Sequence, residues 1–556
     1  MASDIDIAQS IQLKHIREIA AQLNLPEDDI VPYGKYKAKI PLKFINTEKA
    51  KQSKLILVSA ISPTPAGEGK TTMSIGLSQG LNRVGKKTTV VLREPSLGPV
   101  FGMKGGAAGG GYSQVLPMED INLHFTGDFG AIEKAHNLLS ALLDNNLQNK
   151  KHSLNLDTNT VRWKRVMDMN DRSLRKMIIG MGGSGNGVLR ETGFDITAAS
   201  EIMAILCLSN DLNDLKRRMG NIFIGFDKDK KPIYARDLKA NGAMAALLKD
   251  AIMPNLVQTL EGYPAIIHGG PFANIAQGTN TVIATRMGLS LSDYVVTEAG
   301  FGCDLGAEKF MDIKCVSAGL APSAVVLVVT VRAMKYHGGV AVADLNKTDA
   351  EAVERGLVNL EKHIENVRHF GIEPVIAVNS FVTDSKEEHD AILNRCAAHN
   401  VKGVVAQVWA KGGEGAEELA RTVIDVVDNS AGRFTPVYDW NWPVEQKIET
   451  IARKIYGAAE VEYGPDAKKA LGTIDKLGLN ELPVCIAKTQ YSFSDNPKLL
   501  GRPSGFTLTV RDIEIAAGAG FLVPITGEMM RMPGLPNIPS AELIDIDEDG
   551  NISGLF

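Results

Sequence analysis

The sequence predicts an α/β fold, a mostly parallel sheet flanked by helices, with two smaller mixed α/β domains. Three observations predict it. Short β-branched runs recur along the chain, helical-period stretches separate them, and the texture changes after about residue 460, where strand-like runs sit among glycine and proline. The runs are KLILVSAI (54–61), TTVVLRE (88–94), AIIHGG (265–270), DYVVTEAG (293–300), AVVLVVTV (324–331), PVIAVNS (374–380) and PVCIAKT (483–489).

Between the first two runs, Met73, Leu77, Leu81 and Val84 fall at helical spacing, so residues 54–94 read as one βαβ unit. Residues 349–370 read as an amphipathic helix with Val353, Leu357, Leu360, Ile364 and Val367 on one side. PVIAVNS and the later VVAQV are expected in a second sheet. FTLTV (506–510) and FLVPIT (521–526) suggest a small separate mixed sheet. The expected division is a large domain over 1–365, a second α/β domain over 366–460 and a small C-terminal domain over 461–556.

A chain of 556 residues is too long for one compact core. Its 44% hydrophobic and 22% charged residues are those of an ordinary soluble globular protein. A net charge of −5 argues against a basic surface for nucleic acid or anionic membrane. The apolar runs fall short of the ~20 residues of a membrane span. The acidic start MASDIDIAQS lacks the basic flank and apolar core of a signal peptide. Five cysteines with no C-x-x-C fit neither a zinc site nor a disulfide framework. A reducing, cytoplasmic setting is expected, with neither nucleic acid nor membrane as partner.

SPTPAGEGKTT (62–72) follows the first strand-like run and opens the first helix. A phosphate loop works because backbone N–H groups converge on phosphate oxygens where a helix begins. Gly67 and Gly69 let the backbone close in, Lys70 supplies a point charge, and Thr71 offers a hydroxyl to Mg²⁺. Thr64, Pro65, Ala66, Glu68 and Thr72 complete the candidate nucleotide site. Thr64 stands where the usual pattern has glycine; that position sets the turn leaving the strand, and Pro65 with its fixed φ offers another way to set it.

Arg93 and Glu94 end the second strand of the unit, beside the loop at the carboxyl edge where ligands of parallel sheets collect. An arginine there forks onto a phosphate or carboxylate, or else forms a structural salt bridge. The tract KGGAAGGGY (104–112) holds five glycines in nine residues. It reads as backbone that approaches a ligand or another segment closely, or as a flexible surface loop. GMGGSG (180–185) fits a dinucleotide fingerprint, but the next helix-like stretch begins too late to receive a pyrophosphate. DIDEDG (545–550) opens like a calcium loop, but Phe556 takes the place of the bidentate glutamate.

GMKGGAAGGGY (102–112) and VVTVRAMKYHGG (328–339) closely resemble the two signature segments of formate–tetrahydrofolate ligases. TPAGEGKTT, REPSLGP, PMEDINLHFTGD, ETGFDIT, HGGPFANIA, TEAGFGCDLGAEKF, AKGGEG, AKTQYSFSD and PITGEMMRMPGLP resemble that family in the same order. The resemblance implies an ATP-dependent ligase that forms 10-formyltetrahydrofolate from formate and tetrahydrofolate through formyl phosphate. It implies Mg²⁺, a monovalent cation (K⁺ or NH₄⁺) and a homotetramer. It assigns the formyl phosphate to Arg93 and the folate rings to Phe381 and Trp409. Trp409, one of four tryptophans, also stands beside a glycine-rich turn, which favours binding on its own account. Asp128 is expected either as an acceptor for the amine proton or a folate contact, or as a helix N-cap. Glu298 is expected to contact Mg²⁺ or the monovalent ion. The rival class is a phosphate-loop switch or assembly ATPase without ligase activity.

Overall fold

The computed structural model describes residues 3–103, 108–429 and 432–555. Residues 104–107 of the glycine tract lie outside it. Among the described residues the fold is organised on a 12-stranded sheet. From one side to the other its main path runs Val31–Pro32, Ala38–Lys39, Asn255–Thr259, Pro264–Ile267, Thr88–Leu92, Tyr294–Glu298, Lys54–Ala60, Ala324–Val329, Pro374–Asn379 and Lys402–Ala406. Every pairing from Pro264–Ile267 onward is parallel. The strands before it pair antiparallel. Ala324–Val329 and Pro374–Asn379 are buried at every position, as sheets covered on both faces require.

Two expectations about pairing are corrected. Lys54–Ala60 and Thr88–Leu92 are not neighbours, because Tyr294–Glu298 is inserted between them and pairs with both. Arg93 is therefore one strand removed from the phosphate loop. The strands Pro374–Asn379 and Lys402–Ala406 do not form a second sheet; they extend the large one beyond Ala324–Val329. An all-apolar run carries no label for its partner, since both faces are buried wherever it inserts.

The C-terminal part likewise holds strand pairs rather than one sheet. Glu460–Tyr463 pairs parallel with Thr507–Val510, and Asp512–Ala516 pairs antiparallel with Phe521–Ile525. The run 483–489 makes only isolated bridges, at Val484 and Ala487, to that last strand. GMGGSG sits between Met177–Ile179 and Arg190–Thr192, an antiparallel pair joined through one 3-10 turn at Ser184–Asn186, with no α-helix to receive a dinucleotide.

The helix Lys70–Arg83 buries Met73, Ile75, Leu77 and Leu81. The helix Ala350–His369 starts at Asp349, whose side chain accepts from the Ala352 N–H at 2.8 Å, and buries the five predicted apolar positions. It packs against Val331–His337 at a reciprocal glycine contact. A Cβ at Gly356 would overlap the Met334 carbonyl, and one at Gly338 would overlap that of Ala352. Glycine is thus required at both positions by backbone approach. Gly356→Ala is expected to remove about 1–3 kcal/mol of stability, read by urea titration, because the overlap falls on backbone and cannot relax by a rotamer change.

Candidate functional site

The parallel strands all deliver their carboxyl ends to one edge, where ligands of such sheets bind. In spatial order this edge carries His268 and Gly269, then Arg93 and Glu94, then Glu298, then the loop after Ala60, then Thr330, then Phe381, then Trp409. The candidates thus come to one line of loops; Asp128 opens a helix and reaches this edge through Asn255, the residue paired with Ile267 at a strand end.

The loop leaves Lys54–Ala60 and enters the helix Lys70–Arg83 through two left-handed glycines, Gly67 at φ 78° and Gly69 at φ 74°. Pro65, Ala66 and Gly69 are exposed, while Lys70, Thr71 and Thr72 in the first turn are half-buried. A helix start of this shape presents free backbone N–H groups to an anion. Thr71 Oγ1 donates to Glu298 Oε2 at 2.8 Å. Glu298 is 1% exposed, and its other oxygen has no hydrogen-bond partner. That oxygen lies 3.8 Å from an Arg93 Nη2, an ion pair without a hydrogen bond. Arg93 also donates weakly to the Pro271 carbonyl at 3.4 Å, and its buried Nε is unpartnered. Gly300 leaves room for the guanidinium, since a Cβ there would come 3.1 Å from Nη1. Arg93 thus makes a salt bridge and still has donor capacity unused.

Glu94 lines a cavity of about 240 Å³ with Pro95, His124, Phe125, Phe129 and Lys134. Burial, with Asp128 nearby, pushes the Glu94 carboxyl well above the usual range, against the opposing pull of Lys39. Asp168, on the same cavity, is raised to about 6 by burial, although Ser96 and the Leu97 N–H donate to it. Asp128 is buried and is not the N-cap: Gly127 caps the helix Asp128–Gln148 and Asp128 opens its first turn. Its carboxylate accepts from Lys39 Nζ and from Asn255 Nδ2, both at 2.8 Å.

At the other end of the edge, Phe381 follows Pro374–Asn379 and is half-buried beneath Arg332, whose guanidinium carbon lies 3.9 Å from the ring centre. Trp409 lies on the short helix Val408–Lys411, one strand further along. Its carbonyl accepts from the Tyr112 N–H at 2.8 Å. A Cβ at Gly111 would overlap that carbonyl, and one at Gly110 would touch the indole at 3.3 Å. For its described part, the glycine tract is backbone pressed against another segment.

The sequence reading missed the groups behind the loop. His337 accepts at Nδ1 from the Gly501 N–H, at 3.2 Å. Its proton therefore sits on Nε2 and is donated to the Ser62 carbonyl at 2.9 Å. Asn359 Nδ2 donates to Ser62 Oγ at 3.1 Å and to the Gly501 carbonyl at 2.8 Å. The one sequence signal was the place of His337 inside the YHGG segment.

A β–loop–α turn with an exposed helix start, a shared carboxylate, an arginine with spare donors and two aromatic rings define a site that can hold an anionic cosubstrate beside a flat one. The matching family is formate–tetrahydrofolate ligase, whose profile covers residues 2–556. The chain belongs to that family of ATP-dependent ligases, and nothing in the comparisons favours an assembly ATPase. A solved structure described as a mutant of L. casei FPGS aligns over 93% of this chain and 97% of its own, at 10% identity and a TM-score of 0.20, too low to carry an argument. Among the described residues no helix is long and apolar enough to cross a membrane.

Burial holds His337 at a pKa of about 4, below the ordinary 6.5. Below pH 6.5 the unfolded chain binds a proton that the folded one refuses, so this stability is full above 6.5 and is lost as pH falls toward 4. At roughly 1.4 kcal/mol per unit the loss approaches 3 kcal/mol. In a His337→Gln variant, unfolding free energy measured from pH 7 to 4 is expected to fall less steeply than in the wild type.

Proposed function

We propose that the reaction is divided along the sheet edge: the phosphates of ATP at 62–72, the acyl phosphate at Arg93, and the folate at Phe381 and Trp409. Formate oxygen attacks the γ-phosphorus and ADP leaves. The folate N10 then attacks the formyl carbon, and phosphate leaves, taking up in balance the proton that N10 loses. Phosphoryl transfer of this kind needs positioning and charge neutralisation more than covalent chemistry.

The observation that carries this reading is the Thr71–Glu298–Arg93 arrangement, which joins the helix that receives the nucleotide to the arginine that receives the product of phosphoryl transfer. The donor set also fits a divalent ion. A threonine hydroxyl, and a buried carboxylate with one oxygen unpartnered, are hard oxygen ligands, and Mg²⁺ takes its remaining ligands from phosphates and water. Thr71 and the unpartnered oxygen of Glu298 are the groups that would hold Mg²⁺. The ion would neutralise charge on the phosphates. Lys70 supplies the loop's own positive charge.

Glu94 follows Arg93, and burial favours the neutral form of its carboxyl. Asp128, held by Lys39 and Asn255, acts on the site through that buried pair rather than as a free base. The monovalent cation and the homotetramer belong to the same proposal and rest on the resemblance; the three-part division near 365 and 460 rests on the change of texture along the chain, and the cytoplasmic setting on cysteine usage and the acidic start.

The deciding assay is ADP release with Mg²⁺, K⁺, ATP and formate, with and without tetrahydrofolate. One ADP per 10-formyltetrahydrofolate, dependent on formate, is expected; hydrolysis indifferent to both cosubstrates would refute the reading. Arg93→Ser is expected to abolish ligation while Mg-ATP binding stays close to wild type. Trp409→Ala is expected to weaken folate binding by roughly 1–3 kcal/mol, the range found for bases stacked on aromatics. Unchanged folate affinity would remove Trp409 from the site.

A further inference from the structure

We propose that Glu68 is a positioning residue for the nucleotide: its buried carboxylate sets the turn leaving the strand, which is why Thr64 can replace the usual glycine. The inference rests on the nucleotide reading of the same loop.

Glycine at the first position of a phosphate loop is useful where the backbone needs a positive φ. Here the left-handed residues are Gly67 and Gly69, and Thr64 is not among the positive-φ residues. Thr64 is instead 3% exposed and bound on three sides. Its N–H donates to Glu68 Oε1 at 2.7 Å, its hydroxyl donates to the same oxygen at 3.0 Å, and its carbonyl accepts from the Gly67 N–H at 3.0 Å. Residues 64–68 thus close on themselves through one carboxylate.

That closed turn is tied to the two strands beyond it. Thr330, which follows Ala324–Val329, donates its hydroxyl to Glu68 Oε2 and accepts from the Ala333 N–H at 3.0 Å. Asn379, at the end of Pro374–Asn379, donates to the Glu68 carbonyl at 3.1 Å. It also lies over Gly69, where a Cβ would come 2.6 Å from its Nδ2. Thr71 is held from the opposite side by Glu298. The stretch that would contact phosphate is therefore fixed at both ends by carboxylates on opposite flanks.

Glu68 is 1% exposed, and the hydrogen bonds its carboxylate accepts from Thr64 and Thr330 come from neutral donors. A carboxylate in an anion-binding loop opposes the phosphate charge, so its presence needs a geometric reason, and the three hydrogen bonds supply one. Charge and geometry can be separated by substitution. Gln keeps an acceptor for both Thr64 donors and drops the charge; Ala drops both.

The test is Mg-ATP binding by calorimetry on the full chain, with steady-state KM values for ATP, formate and tetrahydrofolate and circular dichroism to confirm folding. Glu68→Ala is expected to weaken Mg-ATP about tenfold or more, in line with loss of hydrogen bonds to a charged group, while the other two KM values move much less. Glu68→Gln is expected to restore most of that loss. Thr64→Gly, which recreates the usual pattern, is expected to weaken ATP rather than tighten it. Should Glu68→Ala fail to fold, the pair Thr330→Val and Thr330→Ser decides: Val should raise KM for ATP and Ser should not. Folded Glu68→Ala with wild-type ATP affinity, or Thr64→Gly that binds ATP more tightly, would overturn the proposal. A Lys70→Ala variant that binds Mg-ATP like the wild type would instead overturn the nucleotide reading itself.

Discussion

The arrangement depends on one buried carboxylate. Glu298 ends the strand inserted between the loop-bearing strand and the strand of Arg93, and it is almost fully removed from water. A carboxylate in such a place is tolerated only when donors and opposite charge answer it. One oxygen takes the Thr71 hydroxyl and the other faces the Arg93 guanidinium across a gap. The gap matters as much as the bond. A tight fork between Arg93 and Glu298 would occupy the donors that a ligand needs, whereas 3.8 Å attracts the guanidinium to the site and leaves its N–H groups unspent.

Other buried pairs set where remote segments lie around this edge. Lys39 meets Asp128, Lys335 meets Glu388, and Lys488 meets Asp304, each with both side chains at 2% exposure or less. Such pairs add little net stability over apolar replacements, but breaking one strands a charge, so they penalise wrong arrangements more than they reward the right one. Lys488 brings the C-terminal part against Asp304, just beyond the Glu298 loop. His337 and Asn359 then join Gly501 of that part to Ser62 at the start of the phosphate loop. The C-terminal part is thus bonded, through these two side chains, to the segment that opens the candidate site.

Much of this was legible in the sequence, and the illegible portion has a physical pattern. The strand before the loop, the helix after it and the long helix Ala350–His369 follow from spacing, because burial on one helix face repeats every turn. The place of Arg93 at the sheet edge also followed; it makes the salt bridge that one of its two readings expected, with Glu298, and keeps donor capacity. The insertion of Tyr294–Glu298 did not follow. Its partners lie far along the chain, and a strand apolar on both faces carries no register code. Asp128 was legible only in part, for a related reason. Its motif fixed a helix start, but only the fold brings Lys39 and Asn255 to its carboxylate.

The glycines around Trp409 show how a resemblance and a physical reading constrain each other. A tryptophan offered to a planar ligand must keep one face open, so it has to be held from behind by something thin. Gly110 and Gly111 do this with backbone alone, and the Tyr112 N–H fixes the Trp409 carbonyl. On the helix Lys70–Arg83, Gly76 clears Val408 and Gly80 clears Ala416, so the segment carrying Trp409 rests directly on the helix that the phosphate loop opens. Any side chain at these positions would push Trp409 away from that helix. The distance from the helix Lys70–Arg83 to Trp409 is therefore set by the absence of Cβ atoms, and the described part of the glycine tract makes the close approach to another segment that its composition suggested.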